Sequence, residues 1–535
     1  MINKKFLVVL LLIGFINHAQ QRNVILIIAD DLGKDYCAIY PDHGANVVNL
    51  TNVNRLLPRG VVFNNAWSNP LCSPTRAGIL SGRYSFRTGV GDVVDGGNNK
   101  LNINENIIPK VLNIYSPNGI SKACIGKWHV TTAAPAGYNY PTTMGFDHFE
   151  GSLTGALGQP GQLVTGFNNW TKITNGVSST CTNYATTENV NNAISYINNQ
   201  PSTKPFFLYL AFNAPHTPYH LPPANLISNT SLSGTQADIT ANPIPYFQAM
   251  TEAMDKEIGR FFDYLVATGK WDSTDIIFIG DNGDDSLVAQ SNPSKGSIYQ
   301  AGVSVPMIIS GPDVVNPNRT NNSLVHTTDL FATILELFGD TNWQNQIPTT
   351  TVDSNSLLPI LSNQATSIRP WEFTEIFKLS PTSGDGKAMR NTDYKLMKFD
   401  DGTEKFFNLT NNPAETNNQN LLLGTLTSTD SINYNYLCNQ MTTLVGGSSY
   451  CNPLLSMDNS NLELNKNNVF PNPFHFKINL KSYSGNENYE LFSNLGQLIF
   501  KGKYIENQDF SALENGIYFL KVIDKTNTTF KLVKE

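Results

Sequence analysis

The chain is poor in charge. Asp, Glu, Lys and Arg make up only 15% of its 535 residues, against about 25% in an average soluble protein; Asn and Thr visibly fill the gap. Positive charge is the scarcer sign, with 36 Lys and Arg against 43 Asp and Glu, a net charge of −7. That balance argues against nucleic acid as a partner, since phosphate backbones are bound by basic surfaces. A polyanion could still bind, but only at a local basic site. Six cysteines are too few for a disulfide scaffold, and none is spaced Cys-x-x-Cys, which argues against a thiolate zinc site. The 39 Gly and 29 Pro show no triplet period, which excludes collagen. There is no internal repeat, and no apolar run reaches the roughly 20 residues that span a bilayer. What is present is 40% hydrophobic and 10% aromatic residues, enough for sizeable cores and too much for a disordered chain. At roughly 150 residues per domain, the length fits about two to four domains.

Lys4 and Lys5 precede an apolar run from Phe6 to Ile16. The run is too short to span a membrane and fits a secretory signal peptide over residues 1–20, cut near Ala19 or Gln20. The mature protein is therefore expected to be exported, and an exported chain can form disulfides. Cys438 and Cys451, close in sequence, make the best candidate pair.

From Asn23 to about Leu361, apolar runs alternate with helical periodicity. Val24 to Ile28 is a continuous β-branched and Leu run, as in a strand buried on both faces. Similar runs are Phe206 to Phe212, Ile276 to Ile279 and Val305 to Ile309. Met250, Met254, Ile258, Phe261 and Leu265 recur at helical spacing, as do Leu330, Ile334, Leu337 and Phe338. For the latter helix Thr327 or Thr328 is the expected cap and Gly339 the stop. Alternating strands and helices predict an α/β fold with a mostly parallel sheet over residues 21–368. Short polar strands at Lys387–Arg390, Tyr394–Phe399 and Lys405–Leu409, with the turn Asp400-Asp401-Gly402, predict a small antiparallel subdomain over 369–451, closed by a helix near Ser431 to Leu444. An Asn- and Ser-rich linker (452–468) leads to a small all-β unit (469–535), where Tyr518, Leu520 and Val522 alternate, as do Phe530 and Leu532.

Two oxygen clusters follow predicted strands. Asp30-Asp31 comes after Val24–Ile28, and Asp281-Asn282-Gly283 after Ile276–Ile279. In open parallel sheets, ligands collect beyond the carboxyl ends of strands. Either cluster alone reads as a cap or turn. Together, Asp30, Asp31, Asp281 and Asn282 make a hard-oxygen set suited to Ca²⁺ or, less well, Mg²⁺.

A third element is Cys72-Ser73-Pro74-Thr75-Arg76, continued by Ala77-Gly78-Ile79-Leu80-Ser81-Gly82-Arg83. At this composition, Cys-x-Pro-x-basic arises by chance about 0.02 times. Here the sequence resembles the formylglycine-dependent (type I) sulfatases, whose signature is this pentapeptide with its trailing Ser/Thr-Gly-Arg. Gly126-Lys127-Trp128-His129 matches the family's Lys-x-His element, Asn213-Ala214-Pro215-His216 its strand-end histidine, and Asp281-Asn282-Gly283 its second metal motif. Lys295-Gly296-Ser297 before Val305-Pro306 matches its late lysine, and Phe407-Asn408-Leu409 with Asn412 to Thr416 its closing segment. The motif order holds from about Asn23 to Leu423. Two features depart from the pattern. Gln300 to Ser304 replaces the common Glu-Gly-Gly-x-Arg in a loop expected to shape the substrate pocket, and the His that many relatives carry after Gly283 is missing.

The resemblance implies an alkaline-phosphatase-like fold and a sulfuric ester hydrolase. It implies oxidation of Cys72 to formylglycine by a maturation enzyme, with residue 72 also a metal ligand. One hydroxyl of the aldehyde hydrate attacks sulfur, and the second expels sulfate from the covalent intermediate. Arg76 would orient the hydrate, and Lys127 and Lys295 would bind sulfate oxygens. His129 would assist elimination and His216 protonate the leaving alcohol, or the two roles could be exchanged. The tail, with Pro471-Asn472-Pro473, Leu495-Gly496-Gln497, Gly516-Ile517-Tyr518 and Lys531 to Lys534, resembles the type IX secretion sorting domain of Bacteroidota; a sugar-binding β-module is the alternative. Export and family together suggest a sulfated, algal-type polysaccharide or oligosaccharide such as ulvan, carrageenan or fucan. A phosphoester hydrolase on the same scaffold and a non-catalytic glycan-binding protein are the rivals.

Overall fold

The computed structural model describes residues 22–94, 100–132, 134–157, 163–447, 449–451, 469–481, 487–493, 497–523 and 529–535. The expected signal peptide, the 452–468 linker and the turn at Asn494-Leu495-Gly496 lie outside the described residues.

The main sheet has ten strands: β1 (Asn23–Ala29), β2 (Gly60–Trp67), β3 (Ser121–Lys127), β4 (His148–Ser152), β5 (Trp170–Thr174), β6 (Val177–Cys181), β7 (Phe206–Ala211), β8 (Thr274–Gly280), β9 (Met307–Ser310) and β10 (Arg319–His326). Their order is β10-β2-β9-β8-β1-β7-β3-β4-β5-β6. The central strands β8, β1, β7, β3 and β4 are parallel, as are β10 and β2. β9 runs against both of its neighbours, and so does β5. The mixed, mostly parallel sheet is the expected class.

β1 shows why its run is unbroken. Val24, Leu26 and Ile28 enter one core, Ile25, Ile27 and Ala29 the other, and all six are fully buried. Burying each Ile or Leu stabilises the fold by roughly 1.5–3 kcal/mol. The Val305–Ile309 run starts its strand only at Met307, because Pro306 has no N–H for the ladder.

Helices cover both faces. They include α1 (Cys72–Ser81), α2 (Ala185–Asn198), α3 (Pro243–Ala267), α4 (Leu330–Leu337) and, further on, α5 (Ser428–Val445). Ile79 and Leu80 of α1 join Leu330 and Ile334 of α4 in the first core. Met250, Met254, Ile258, Phe261 and Leu265 of α3 pack in the second, beside Val190 and Ile197 of α2. The start of α4 differs from expectation. β10 runs straight into the turn, and His326 Nδ1 accepts from Thr328 N at 3.1 Å, so the imidazole caps in place of a threonine. Gly339, at φ 88°, ends the helix region as expected.

β11 (Glu372–Ile376), β12 (Gly386–Arg390), β13 (Tyr394–Phe399) and β14 (Glu404–Asn408) form an antiparallel sheet in sequential order. α5 covers one face, with Tyr434, Leu437 and Met441 against Phe373, Leu396 and Phe406. Ala388, Met397 and Phe407 pack with Trp67 and Leu71, the residues that lead into Cys72. Cys438 and Cys451 are disulfide-bonded.

The last unit is all β. β15 (Val469–Phe470) pairs with β16 (Asn479–Leu480). β17 (Asn488–Ser493), β18 (Leu498–Gly502), β19 (Gly516–Ile523) and β20 (Thr529–Lys534) form an antiparallel sheet of order β18-β17-β19-β20. Tyr518, Leu520, Val522, Phe530 and Leu532 fill its core, as their alternation predicts.

Candidate active site

The parallel strands end on one edge, and the site residues follow those ends: Asp30 and Asp31 after β1, Lys127 and His129 on and after β3, His216 beyond β7, Asp281 and Asn282 after β8. Cys72 opens α1, so its side chain stands where unsatisfied N–H groups and the helix dipole favour an anion. The entry is fastened locally. Thr75 Oγ1 accepts from Asn69 N at 3.0 Å and donates to Asn69 O at 3.2 Å, while Ser73 Oγ accepts from Val94 N at 3.0 Å. Pro74 fits in the first helical turn, where a missing N–H costs no intrahelical bond.

The charges interlock. Arg76, fully buried, donates Nε and Nη2 to Asp281 Oδ2 at 3.0 and 2.8 Å and Nη1 to Lys127 O at 2.8 Å. Lys127 Nζ donates to Asp30 Oδ2 at 2.5 Å. Lys295 Nζ donates to Asp31 Oδ2 at 2.6 Å, and His216 Nε2 lies 3.7 Å from the same oxygen. Asn282 Nδ2 donates to Asp31 Oδ1 at 2.8 Å, and Asp31 N to Asp281 Oδ1 at 3.0 Å. Cys72 Sγ is 3.1 Å from His129 Nδ1. All the residues singled out in the sequence therefore meet in one pocket.

Backbone geometry shows how tightly they are drawn together. Asp31 (φ 62°) and His129 (φ 52°) hold left-handed conformations that cost non-glycine residues about 1–3 kcal/mol. Gly126, at φ 94°, lets β3 approach β7, for a Cβ there would lie 1.9 Å from Ala211 O. Gly155 admits the His129 ring, since its Cβ would fall 2.6 Å from Cε1.

Burial tunes the titrating groups. It pushes Asp30 up to about 8, against the pull of Lys127. Asp31, which burial alone would raise, is held below the carboxylate range by Lys295, His216 and Lys127. Burial raises the Cys72 thiol, with Lys127 and Lys295 opposing. Burial and the neighbouring Lys127 and Arg76 hold His129 neutral. Burial lowers His216 to about 3 although Asp31 opposes it. His216 Nδ1 faces Thr217 O at 2.6 Å, so the neutral ring keeps its proton there and turns a bare Nε2 to the pocket.

The donor set suits a divalent cation. Ligand atoms of Asp30, Cys72 and Asp281 lie within 4.8 Å of one another, as do those of Asp30, Asp31 and His216. Among the described residues, Asp30 Oδ1 and Asn282 Oδ1 are buried without a hydrogen-bond partner. Orphaned hard oxygens facing clustered carboxylates are what a bound Ca²⁺ or Mg²⁺ would satisfy.

Two residues escaped the sequence reading. Asp284 Oδ1 accepts from Gly33 N at 2.7 Å, tying the loop after β1 to the loop after β8; its place in the acidic run after Asp281 was the available signal. Ser152 Oγ accepts from Asn213 Nδ2 at 3.1 Å and joins the ends of β4 and β7; nothing in sequence marked it. His220 is packed against Phe167 with ring centroids 4.4 Å apart and bonds Tyr184 OH at 3.2 Å. Gln300, Ala301 and Ser304 of the variant loop line a cleft of about 130 Å³ together with Lys34, Asp42 and Glu415.

Fold and pocket together define the class: an alkaline-phosphatase-like α/β scaffold whose sheet edge carries a pocket with two lysines and one arginine. The sulfatase family model matches residues 22–340. The chain belongs to the sulfatase family. Residues 294–427 match the C-terminal part of N-sulphoglucosamine sulphohydrolases, and 468–535 match a secretion system C-terminal sorting domain, which marks the chain for export to the surface or medium. Mouse arylsulfatase J is 28% identical over 339 residues, 59% of this chain and 52% of that protein, so the chain spans about half of this relative's length. Human N-acetylgalactosamine-6-sulfatase is 26% identical over 387 residues, 66% of this chain and 68% of that one. Among solved structures, Ps i-CgsB in complex with k-i-k-neocarrahexaose aligns with a TM-score of 0.64 and 25% identity, covering 80% of this chain and 93% of that one.

Proposed function

We propose that the protein is an exported sulfatase that removes sulfate from a sulfated polysaccharide or its oligosaccharides, of carrageenan, fucan or ulvan type, with residue 72 as formylglycine. The observation that carries this reading is the pocket itself. Cys72 at a helix N-terminus faces two lysines, two histidines and an arginine-braced carboxylate cluster. Relatives named for N-acetylgalactosamine 6-sulfate and for a carrageenan-type hexaose complex support a sulfated glycan.

As an aldehyde hydrate, residue 72 supplies a geminal diol, one hydroxyl to attack sulfur and one to release the product. Asp30, Asp31, Asp281 and Asn282 would hold a divalent cation together with residue 72, Ca²⁺ in preference to Mg²⁺; when bound it supplies positive charge to polarise the ester. Lys127 and Lys295 bind the sulfate oxygens and stabilise the charge that develops on them. Arg76 fixes residue 72 through Asp281 and the Lys127 carbonyl. His129, 3.1 Å from residue 72, takes the proton that frees sulfate. His216, once its Nε2 has taken a proton from water, gives that proton to the leaving alcohol. Its depressed affinity for that proton rises when an anionic ester enters, because opposite charge favours the imidazolium.

A formylglycine-generating enzyme would mature Cys72 before export. A signal peptide over 1–20 and type IX secretion through residues 469–535 would carry the protein out, with a catalytic domain over 21–368 and an antiparallel subdomain over 369–451. Removing 469–535 should block export and spare the activity of purified protein.

The deciding experiment is the mass of the tryptic peptide containing residue 72, from protein made in its native host. A thiol replaced by an aldehyde or its hydrate supports the reading. Unmodified Cys72 in fully exported protein sinks it. Turnover of sulfate against phosphate esters then separates the sulfatase from a phosphoester hydrolase.

A further inference from the structure

A closed ring of polar contacts lies outside the pocket, where the C-terminal subdomain meets the catalytic sheet. Trp67 Nε1 donates to Gln300 Oε1 at 2.7 Å. Gln300 N donates to Glu415 Oε2 at 2.6 Å. Lys395 Nζ and Glu415 Oε1 form an ion pair at 2.7 Å, and that ammonium sits 4.7 Å from the centre of the Trp67 ring. Lys395 is fully buried and Glu415 is 3% exposed. Glu415 also holds φ 53°, a left-handed conformation that residues with a Cβ rarely adopt.

The ring touches both strips of chain that carry the pocket's reactive groups. Trp67 ends β2, five residues before Cys72; Gln300 follows Lys295 by the same interval. The two strips are laced by Ser68 N to Val303 O and Gly296 N to Pro70 O, each 2.8 Å. Ser68 Oγ to Val303 O at 3.2 Å and Val305 N to Ala66 O at 3.1 Å add to the lacing. From the second subdomain, Thr374 Oγ1 holds Ser68 O at 3.0 Å on the first strip, and Glu415 holds Gln300, the partner of Trp67, on the second. A packed, strained, ion-paired carboxylate that grips one backbone N–H is costly if its only task is to fill space.

We propose that Gln300 and Glu415 are positioning residues, through which the C-terminal subdomain sets the distance between residue 72 and Lys295. The inference rests on the sulfatase reading above. A misplacement of about 1 Å between nucleophile and sulfate-binding cation can cost about 100-fold in rate; loosening one of these ties should cost about tenfold.

The test is a double-mutant cycle on the full chain with Gln300→Ala, Glu415→Gln and the pair, read as kcat well below the melting temperature. Each single variant should lose about tenfold in kcat, and the pair no more than the worse single, since both act through one link. Gln300→Ala leaves the Lys395–Glu415 pair intact and carries the test if Glu415→Gln does not fold. Folded variants with a lowered melting temperature but kcat within twofold of the native enzyme overturn the proposal, because support of the fold alone predicts that pattern. Affinity for inorganic sulfate, read by calorimetry, makes the same comparison without turnover. A native chain that binds sulfate but cleaves no ester overturns the functional reading, and a weakened sulfate Kd in Gln300→Ala then still decides the bracing.

Discussion

Arg76 holds Asp281 with two N–H groups on one oxygen, Nε at 3.0 Å and Nη2 at 2.8 Å, and its third group reaches the Lys127 carbonyl at 2.8 Å. One guanidinium thereby fixes the first turn of α1, the end of β3 and the loop after β8 relative to one another. A lysine has one ammonium and cannot reproduce this planar fork. Arg76→Lys should therefore keep the charge and lose about 100-fold in kcat/KM, with the protein folded. Steady-state kinetics beside a melting curve check this; a loss under threefold would show that charge alone suffices.

The two lysines should separate stability from chemistry. Lys127 and its partner Asp30 are both fully buried, and removing one member of a buried pair costs about 3–5 kcal/mol. Lys295 is partly open to solvent, at 13% side-chain exposure, so water can take over part of its role. Lys127→Met should lower both the melting temperature and turnover. Lys295→Met should lower turnover by at least about 100-fold with a smaller stability loss. Equal destabilisation by denaturant titration would refute the distinction.

Much of this was legible in the chain, for physical reasons. β1 is buried on both faces, so its run is unbroken and its end, Asp30-Asp31, could be located. Motif residues at strand ends converge because parallel strands share one edge. β3 (Ser121–Lys127) was harder, because buried Ser, Lys and Gly positions break its apolar pattern. β10 reads Arg-Thr-Asn-Asn-Ser before its apolar end and lies at the sheet edge, where polar residues remain solvated. The Glu415 contact joins residues 115 apart in sequence, and no local pattern encodes it.

His220 gives a pH dependence of known sign. Burial lowers its pKa to about 4 from the ordinary 6.5. The unfolded chain thus takes up a proton below about pH 6.5 that the native chain refuses, so unfolding is favoured as pH falls. The stability is full above pH 6.5 and is lost progressively down to about pH 4, by up to about 1.4 kcal/mol per pH unit. Denaturant titrations at pH 7.5 and pH 5 should show the native chain losing about 2 kcal/mol more than His220→Gln over that interval. An identical loss in both would mean that the ring is protonated in the fold.

Metal removal tests the orphaned oxygens. Asp30 Oδ1 and Asn282 Oδ1 are buried without a hydrogen-bond partner among the described residues, and Asp30, Asp31 and Asp281 crowd one pocket. A cation bound there stabilises only the folded chain, by about 2.7 kcal/mol at 100 times its Kd. Exhaustive chelation should lower the melting temperature and reduce turnover more than tenfold, and Ca²⁺ should restore both. Asp31→Asn should blunt the calcium-dependent rise in melting temperature, because it removes a charged ligand while keeping the side-chain volume. Because that shift is read without substrate, it separates loss of the cation from loss of chemistry. Chelated protein with an unchanged melting curve and full activity would show that Lys127, Lys295 and Arg76 balance these carboxylates unaided. Restoration by Mg²⁺ but not Ca²⁺ would keep the site and reverse its selectivity, since the smaller ion demands a tighter octahedral shell.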